Sequence, residues 1–223
     1  MPKTLRRTTD LNPNMVQNIF RAFDFAKAGG APLNVYAVIN LRDLPEQSAA
    51  TAFERIRHKY RDWLAYHSRK LGVRLPPMYV FTFEAPGVPH VNWVLRVPPR
   101  LQAEFFRKLP KWVERVQGRL QPFDIDARRI EERGYKSLAN YISKGCNPRY
   151  IRHFYLTDLH NNHGHQGEFW GKRAGVSPAL NKSARKAVNY DHKRRRLPDD
   201  SPTHPLPDVG APTSSLVASA QRK

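Results

Sequence analysis

The chain has 223 residues, enough for one domain of ordinary size with tails and too few for two domains with separate cores. Its 38 Lys and Arg against 19 Asp and Glu leave a formal net charge of +19, more than solubility requires, which points to a polyanionic partner and to nucleic acid first. Cys146 is the only cysteine, which excludes an internal disulfide framework and a Cys-based structural zinc cluster; with no apolar run of signal-peptide or membrane-span length, a cytoplasmic protein without a membrane partner is expected.

Met15, Ile19, Ala22, Phe23 and Ala26 recur at helical spacing and Gly29-Gly30 stops them, so a lead-in helix is predicted within 11–28. "LNVYAVINL" (33–41) is rich in β-branched and aromatic residues and reads as a buried strand. A long helix follows over 45–71, with Phe53, Ile56, Tyr60, Trp63 and Leu64 on one face. "MYVFTFE" (78–84) and "HVNWVLRVP" (90–98), joined by the turn residues "APGVP", form a hairpin. Phe105, Phe106, Leu109, Trp112, Val113 and Val116 mark a further helix that ends near Gly118, with Pro110 a kink.

"PFDIDARRI" (122–130) alternates as a half-buried strand, and 135–145 is a helix with Gly145 at its C-cap and Pro148 shortly after. Beyond Pro148 the periodicity fades into a Gly- and His-rich loop over 160–175, in which His160, His163 and His165 read as loop polars. A short basic helix is expected within 178–196, and the Pro-rich residues from 197 on read as a disordered tail. The order β-α-β-β-α-β-α predicts an α+β fold: a central antiparallel sheet of about four or five strands, helices packed on one face, and the other face free for ligand residues. Four segments follow: 1–30 as lead-in, 31–150 as the chemical domain, 151–196 as a basic extension and 197–223 as tail.

Two constellations carry chemistry. His90 and Asn92 alternate on one strand and so share a face, with Glu84 at the end of the paired strand beside them. A carboxylate, an imidazole and an amide oxygen make a mixed donor set for Mg²⁺ or Mn²⁺, although each residue alone is more often simply a polar rim residue. Tyr141 and Lys144 lie three apart on a helix and share a face; a cation beside a phenol suits a tyrosine nucleophile in phosphoryl transfer, whereas a packed Tyr with a solvated Lys is the commoner arrangement. Tyr135, six residues before Tyr141, points elsewhere and reads as packing.

The order of these elements, with "FTFEAPG" (81–87), "PHVNWVLRVPP" (89–99), "KLPKWVERV" (108–116), "YISKG" with "NPRY" (141–150) and "GKRAGVSPAL" (171–180), resembles the HUH-endonuclease initiators of rolling-circle replication, the Rep-like proteins of bacterial plasmids and related mobile elements. The resemblance spans roughly 34–185. It implies a ferredoxin-like relative in which the family's metal histidines fall on His90 and on the position held by Asn92, the acidic ligand on Glu84, the nucleophile on Tyr141 and its supporting lysine on Lys144. It further implies a metal-dependent single-strand DNA endonuclease and ligase that works through a 5′-phosphotyrosine. The product would be a 3′-hydroxyl primer for a host polymerase, with a host helicase opening the duplex. Asn92 departs from the histidine of the family pattern. A non-catalytic DNA-binding or regulatory protein on the same fold, and a one-tyrosine transposase or relaxase, are the alternatives. DNA contacts are expected from Trp170, by stacking, and from Lys172, Arg173, Lys182, Arg185, Lys186, Arg194, Arg195 and Arg196, through phosphates.

Overall fold

Strict alternation in the strand segments decides the architecture, because each strand must bury one row of side chains on each face of a sheet. A computed structural model describes residues 6–42, 48–131 and 134–190. In chain order its elements are β1 (Arg7–Thr8), α1 (Pro13–Ala28), β2 (Val35–Asn40), α2 (Ala49–Leu71), β3 (Tyr79–Glu84), β4 (His90–Leu95), α3 (Gln102–Gln117), β5 (Ile125–Arg129), α4 (Tyr135–Tyr141), α5 (Thr157–His163), β6 (Phe169–Trp170), β7 (Ala174–Val176) and α6 (Lys182–Ala187). The central sheet is antiparallel and five-stranded, in the order β5-β2-β4-β3-β7, and β1 and β6 form a separate two-stranded ribbon. The fold is therefore α+β, as the element order predicted, and no helix among the described residues is long and apolar enough to cross a membrane.

One sheet face carries Val35, Ala37 and Ile39 from β2, Val91, Trp93 and Leu95 from β4, and Tyr79, Phe81 and Phe83 from β3. These pack on Phe53, Ile56, Tyr60 and Trp63 of α2 and on Phe105, Leu109 and Trp112 of α3. Phe53 meets Phe81, Phe83 and Trp93 edge-on at centroid distances of 5.1–5.5 Å, the geometry that ring quadrupoles favour. α3 continues through Pro110 rather than stopping there.

The opposite face is not free, which differs from the expectation of helices on one side only. Tyr36, Val80 and Val94 of the sheet pack with Val16, Ile19 and Phe23 of α1 and with Tyr135 and Ala139 of α4, forming a second core. Tyr135 is buried and its hydroxyl donates to the Phe23 carbonyl, so it is a packing residue as expected. The lead-in helix is thus a structural layer. The expected boundary at residue 150 also dissolves, because β7 pairs with β3 as an edge of the same sheet. Gly- and His-rich composition masked α5 and the short strands β6 and β7 in the sequence, since elements this short carry no readable period.

α4 is shorter than expected, ending at Tyr141 with Ile142 as its C-cap, and Gly145 lies in the turns that follow. Those turns are pinned by the N-terminal segment: Leu11 N–H donates to the Gly145 carbonyl at 2.7 Å, and Asn147 N–H donates to the Leu11 carbonyl at 3.0 Å. Arg194, Arg195 and Arg196, and the tail expected from residue 197, lie outside the described residues.

Gly167 holds the base of the 164–167 turn against the β3–β4 connection, at a φ of +69°, and a Cβ there would lie 1.9 Å from the Ala85 carbonyl oxygen. Gly167→Ala should therefore lower stability by about 3 kcal/mol or more, because the obstacle is backbone and the conformation itself disfavours a side chain. Chemical denaturation of the two proteins measures it.

Candidate functional site

Register brings the first constellation together. Asn40, His90 and Glu84 are lateral partners across β2, β4 and β3, and Asn92 lies two residues along β4 on the same face as His90. The Glu84 carboxylate, with its side chain 6% exposed, accepts from three donors. Asn92 Nδ2 and Lys144 Nζ reach Oε1 at 2.8 and 2.5 Å, and His90 Nε2 lies 3.0 Å from Oε2. Burial alone would raise the Glu84 pKa; the His90 hydrogen bond and the Lys144 ammonium outweigh it and hold the carboxyl below its usual range.

Lys144 arrives from the turn after α4. Its N–H donates to the Tyr141 carbonyl at 3.1 Å, a tight i→i+3 bond that keeps the two side chains on one face although the helix has ended. The ammonium lies 3.9 Å from the centroid of the Tyr141 ring and is buried, with 3% of its side chain exposed. The expected neighbourhood of phenol and cation is present, but the lysine is not solvated: it is shared between the tyrosine ring and Glu84. The two constellations read separately in the sequence are one site.

Two residues that sequence reasoning missed complete it. Tyr36 on β2 donates its hydroxyl to Asn92 Oδ1 at 2.6 Å, and burial first, then the neighbouring Tyr141 and Glu84, push its pKa up, so it stays a neutral donor. His163, at the end of α5, sets its ring edge-to-face with that of Tyr141 at 5.4 Å. Tyr36 looked like one more apolar strand residue and only register reveals its role; His163 stood in a segment read as loop. Tyr141 and Tyr36 line a cleft of about 560 Å³ with Val38, Asp126, Arg128 and Leu138, over the β2–β5 edge of the sheet.

As a site for Mg²⁺ or Mn²⁺ the three expected ligands fit in part. The Glu84 carboxylate and an imidazole nitrogen of the partly exposed His90 face each other at 3.0 Å, and these two would hold either ion. Asn92 is oriented otherwise. A carboxylate can only accept, so the Asn92 NH₂ faces Glu84 and its oxygen is taken by Tyr36, which makes the amide a clamp on Glu84. Among the described residues no group of three or more His, Cys, Asp or Glu side chains is placed to hold a metal.

The expected DNA contacts divide. Lys172, Lys182 and Lys186 are exposed, and Lys172 and Lys182 line a polar cleft of about 600 Å³ with Asn14, Asn18 and Arg21; none of its lining residues is acidic. Arg173 and Arg185 turn inward instead, although Arg185 borders the same cleft. Arg173 is 1% exposed and donates to the carbonyls of Thr8, Phe83, Gln166 and Gly167, and Arg185 is buried and donates to the Leu180 carbonyl and, at 2.6 Å, to Asn18 Oδ1. Both guanidiniums are used to satisfy backbone that the short, irregular C-terminal elements leave unpaired. Trp170 is half-buried and paired with Arg7 in the β1–β6 ribbon rather than standing in a loop. No protein-family model matches the chain, and no curated protein matches it significantly.

Lys144→Met should cost about 3–5 kcal/mol, since it leaves a carboxylate buried without its counter-charge, and Glu84→Gln in the same chain should restore most of that loss. Because the folded carboxyl is depressed, the network stabilises above the ordinary carboxyl pKa and its contribution is lost as pH falls through the lower folded value. Melting curves from neutral pH downward should accordingly fall less steeply for the Lys144→Met, Glu84→Gln double variant, which removes both charges, than for the parent.

Proposed function

We propose that this chain is a DNA replication initiator that nicks single-stranded origin DNA with Tyr141, as its resemblance to HUH initiators implies. The observation that carries the reading is the convergence of Tyr141, Lys144, Glu84 and His90, drawn from two adjacent strands, the end of α4 and the turn after it, beside a cleft that Tyr141 lines. A structural ion pair alone does not require a partly accessible tyrosine stacked on the buried lysine. The excess positive charge supports a nucleic-acid substrate.

In this reading the Tyr141 oxygen attacks the scissile phosphorus in line, and its phenolic proton passes to solvent. The bond between phosphorus and the 3′ oxygen breaks, and that oxygen takes up a proton to leave a 3′-hydroxyl. The 5′-phosphate remains esterified to Tyr141, and the reverse reaction rejoins the strand. When bound by Glu84 and His90, Mg²⁺ or Mn²⁺ supplies neutralisation of charge on the non-bridging phosphate oxygens. Lys144 fixes Glu84 and supports the Tyr141 ring, and the Tyr36–Asn92 pair holds the carboxylate in orientation. A host polymerase would extend the 3′-hydroxyl after a host helicase opens the duplex.

The orientation of Asn92 favours one second reading, a DNA-binding protein of the same fold without cleavage. The two part in one experiment. Incubation with single-stranded origin oligonucleotides and Mn²⁺ should give a covalent adduct on a denaturing gel, abolished in Tyr141→Phe while DNA affinity changes less than twofold. Absence of an adduct in the parent chain, with binding intact, would favour the non-catalytic reading. By calorimetry His90→Ala should lose Mn²⁺ binding at least tenfold, because it removes the imidazole of a two-residue ligand set.

A further inference from the structure

Phe123 is the most exposed large apolar side chain among the described residues, at 88%, and its backbone φ is 67°. A left-handed conformation is unfavourable for a bulky residue and persists only where the surroundings enforce it. They do so here through the segment's own neighbours. Asn40 Nδ2 donates to the Phe123 carbonyl at 2.8 Å, and Asn40 N–H donates to the Asp124 carbonyl at 2.8 Å. The buried Asp124 carboxylate accepts from Arg42 Nε and from Gln121 N–H, both at 2.7 Å. These contacts fix the strained backbone, while the phenyl ring stands mostly in solvent at the mouth of a cleft of about 410 Å³ that it lines with Phe106, Leu109, Pro110 and Leu120 on the α3 side of the sheet.

The position matters because Asn40 is the lateral partner of His90. Phe123 therefore stands at the same end of the sheet as His90 and Glu84, just ahead of β5. The Tyr141 cleft lies along β5 from there and includes Arg128, whose guanidinium lies over the Tyr36 ring at 5.4 Å.

We infer that Phe123 is a stacking platform for an unpaired nucleobase of a single strand whose backbone crosses the β5 edge of the sheet toward Tyr141 on the other face. The occupant follows from the surroundings. An exposed aromatic face accepts any base, and exposed cations on β5, Arg128 and Arg129, are available for the adjoining phosphates. Duplex DNA, whose bases are already stacked, offers the ring no such face. The inference deepens the proposed function and rests on it for the direction of the strand.

Binding separates the two claims when it is measured without cleavage. The probes are fluorescein-labelled dT20 and a 20-base-pair duplex of mixed sequence, each titrated with the Tyr141→Phe chain in EDTA. Adding Phe123→Ala should weaken dT20 binding about tenfold, leave the duplex within twofold, and leave the salt dependence of dT20 binding unchanged, because no phosphate contact is lost. Phe123→Trp should retain the affinity. Phe123→Gly should weaken dT20 binding as Phe123→Ala does, yet raise the melting temperature, since glycine adopts the left-handed conformation freely. Unchanged dT20 affinity in both Phe123→Ala and Phe123→Gly would overturn the inference while leaving nicking by Tyr141 standing. A parent chain that binds neither probe would overturn both, and a dimer dispersed by Phe123→Ala in sedimentation, with dT20 affinity unchanged, would reassign the ring to a contact between copies.

Discussion

The site depends on how one carboxylate is kept ionised inside the protein. Glu84 sits on a sheet face between two helical layers, where an isolated charge would be expelled or protonated. Three donors from two parts of the chain prevent that: His90 and Asn92 across the hairpin, and Lys144 from beyond α4. The consequence extends outward. Lys144 can be buried only because Glu84 is there, and with its ammonium fixed the Tyr141 ring acquires a defined cationic neighbour at the mouth of a cleft. Tyr36 then fixes the amide that fixes the carboxylate. Each side chain in this set is satisfied by another member, so its geometry is more constrained than any pairwise contact would make it.

Much of this was legible in the sequence because it rests on periodicity. β-Branched and aromatic enrichment in 33–41, alternation in 78–84 and the turn residues before 90–98 gave the three central strands, and the spacing of Phe53, Ile56, Tyr60 and Trp63 gave α2. The pairing of His90 with Glu84 followed from a hairpin with a turn-rich connection, and the shared face of Tyr141 and Lys144 from a three-residue step. That the two groups meet was implied only by the resemblance and not by periodicity, since nothing local states which face of β3 the turn after α4 will cover. Tyr36 stayed hidden for the same reason, its role being set by the register of β2 against β4.

The basic residues of the C-terminal region show the opposite failure. Composition treats Arg173 and Arg185 like Lys172 and Lys182, as charges for phosphate, yet the arginines turn inward and the lysines stay outside. The physical difference is the guanidinium, which is planar, weakly hydrated and rich in donors, and can serve several carbonyls at once where short strands and turns leave them unpaired. An ammonium in the same place would serve fewer and be more costly to desolvate. In irregular segments, arginine is therefore a poor guide to surface charge unless the backbone it could satisfy is also counted.

The junction between Leu11 and the turn at 145–147 sets an order of events for the nascent chain. The turn that carries Lys144 has its backbone closed by a residue near the start of the chain, and the far edge of the sheet is closed by β7, later still. Contacts between such distant segments form only after the loop between them has been ordered, which makes them late. During synthesis, then, Glu84 exists for a time on a hairpin without its lysine, a carboxylate still free to remain in water. Only when the segments around residues 11 and 145 have both emerged can the charge be enclosed, so the buried pair marks completion of this part of the fold rather than its nucleus.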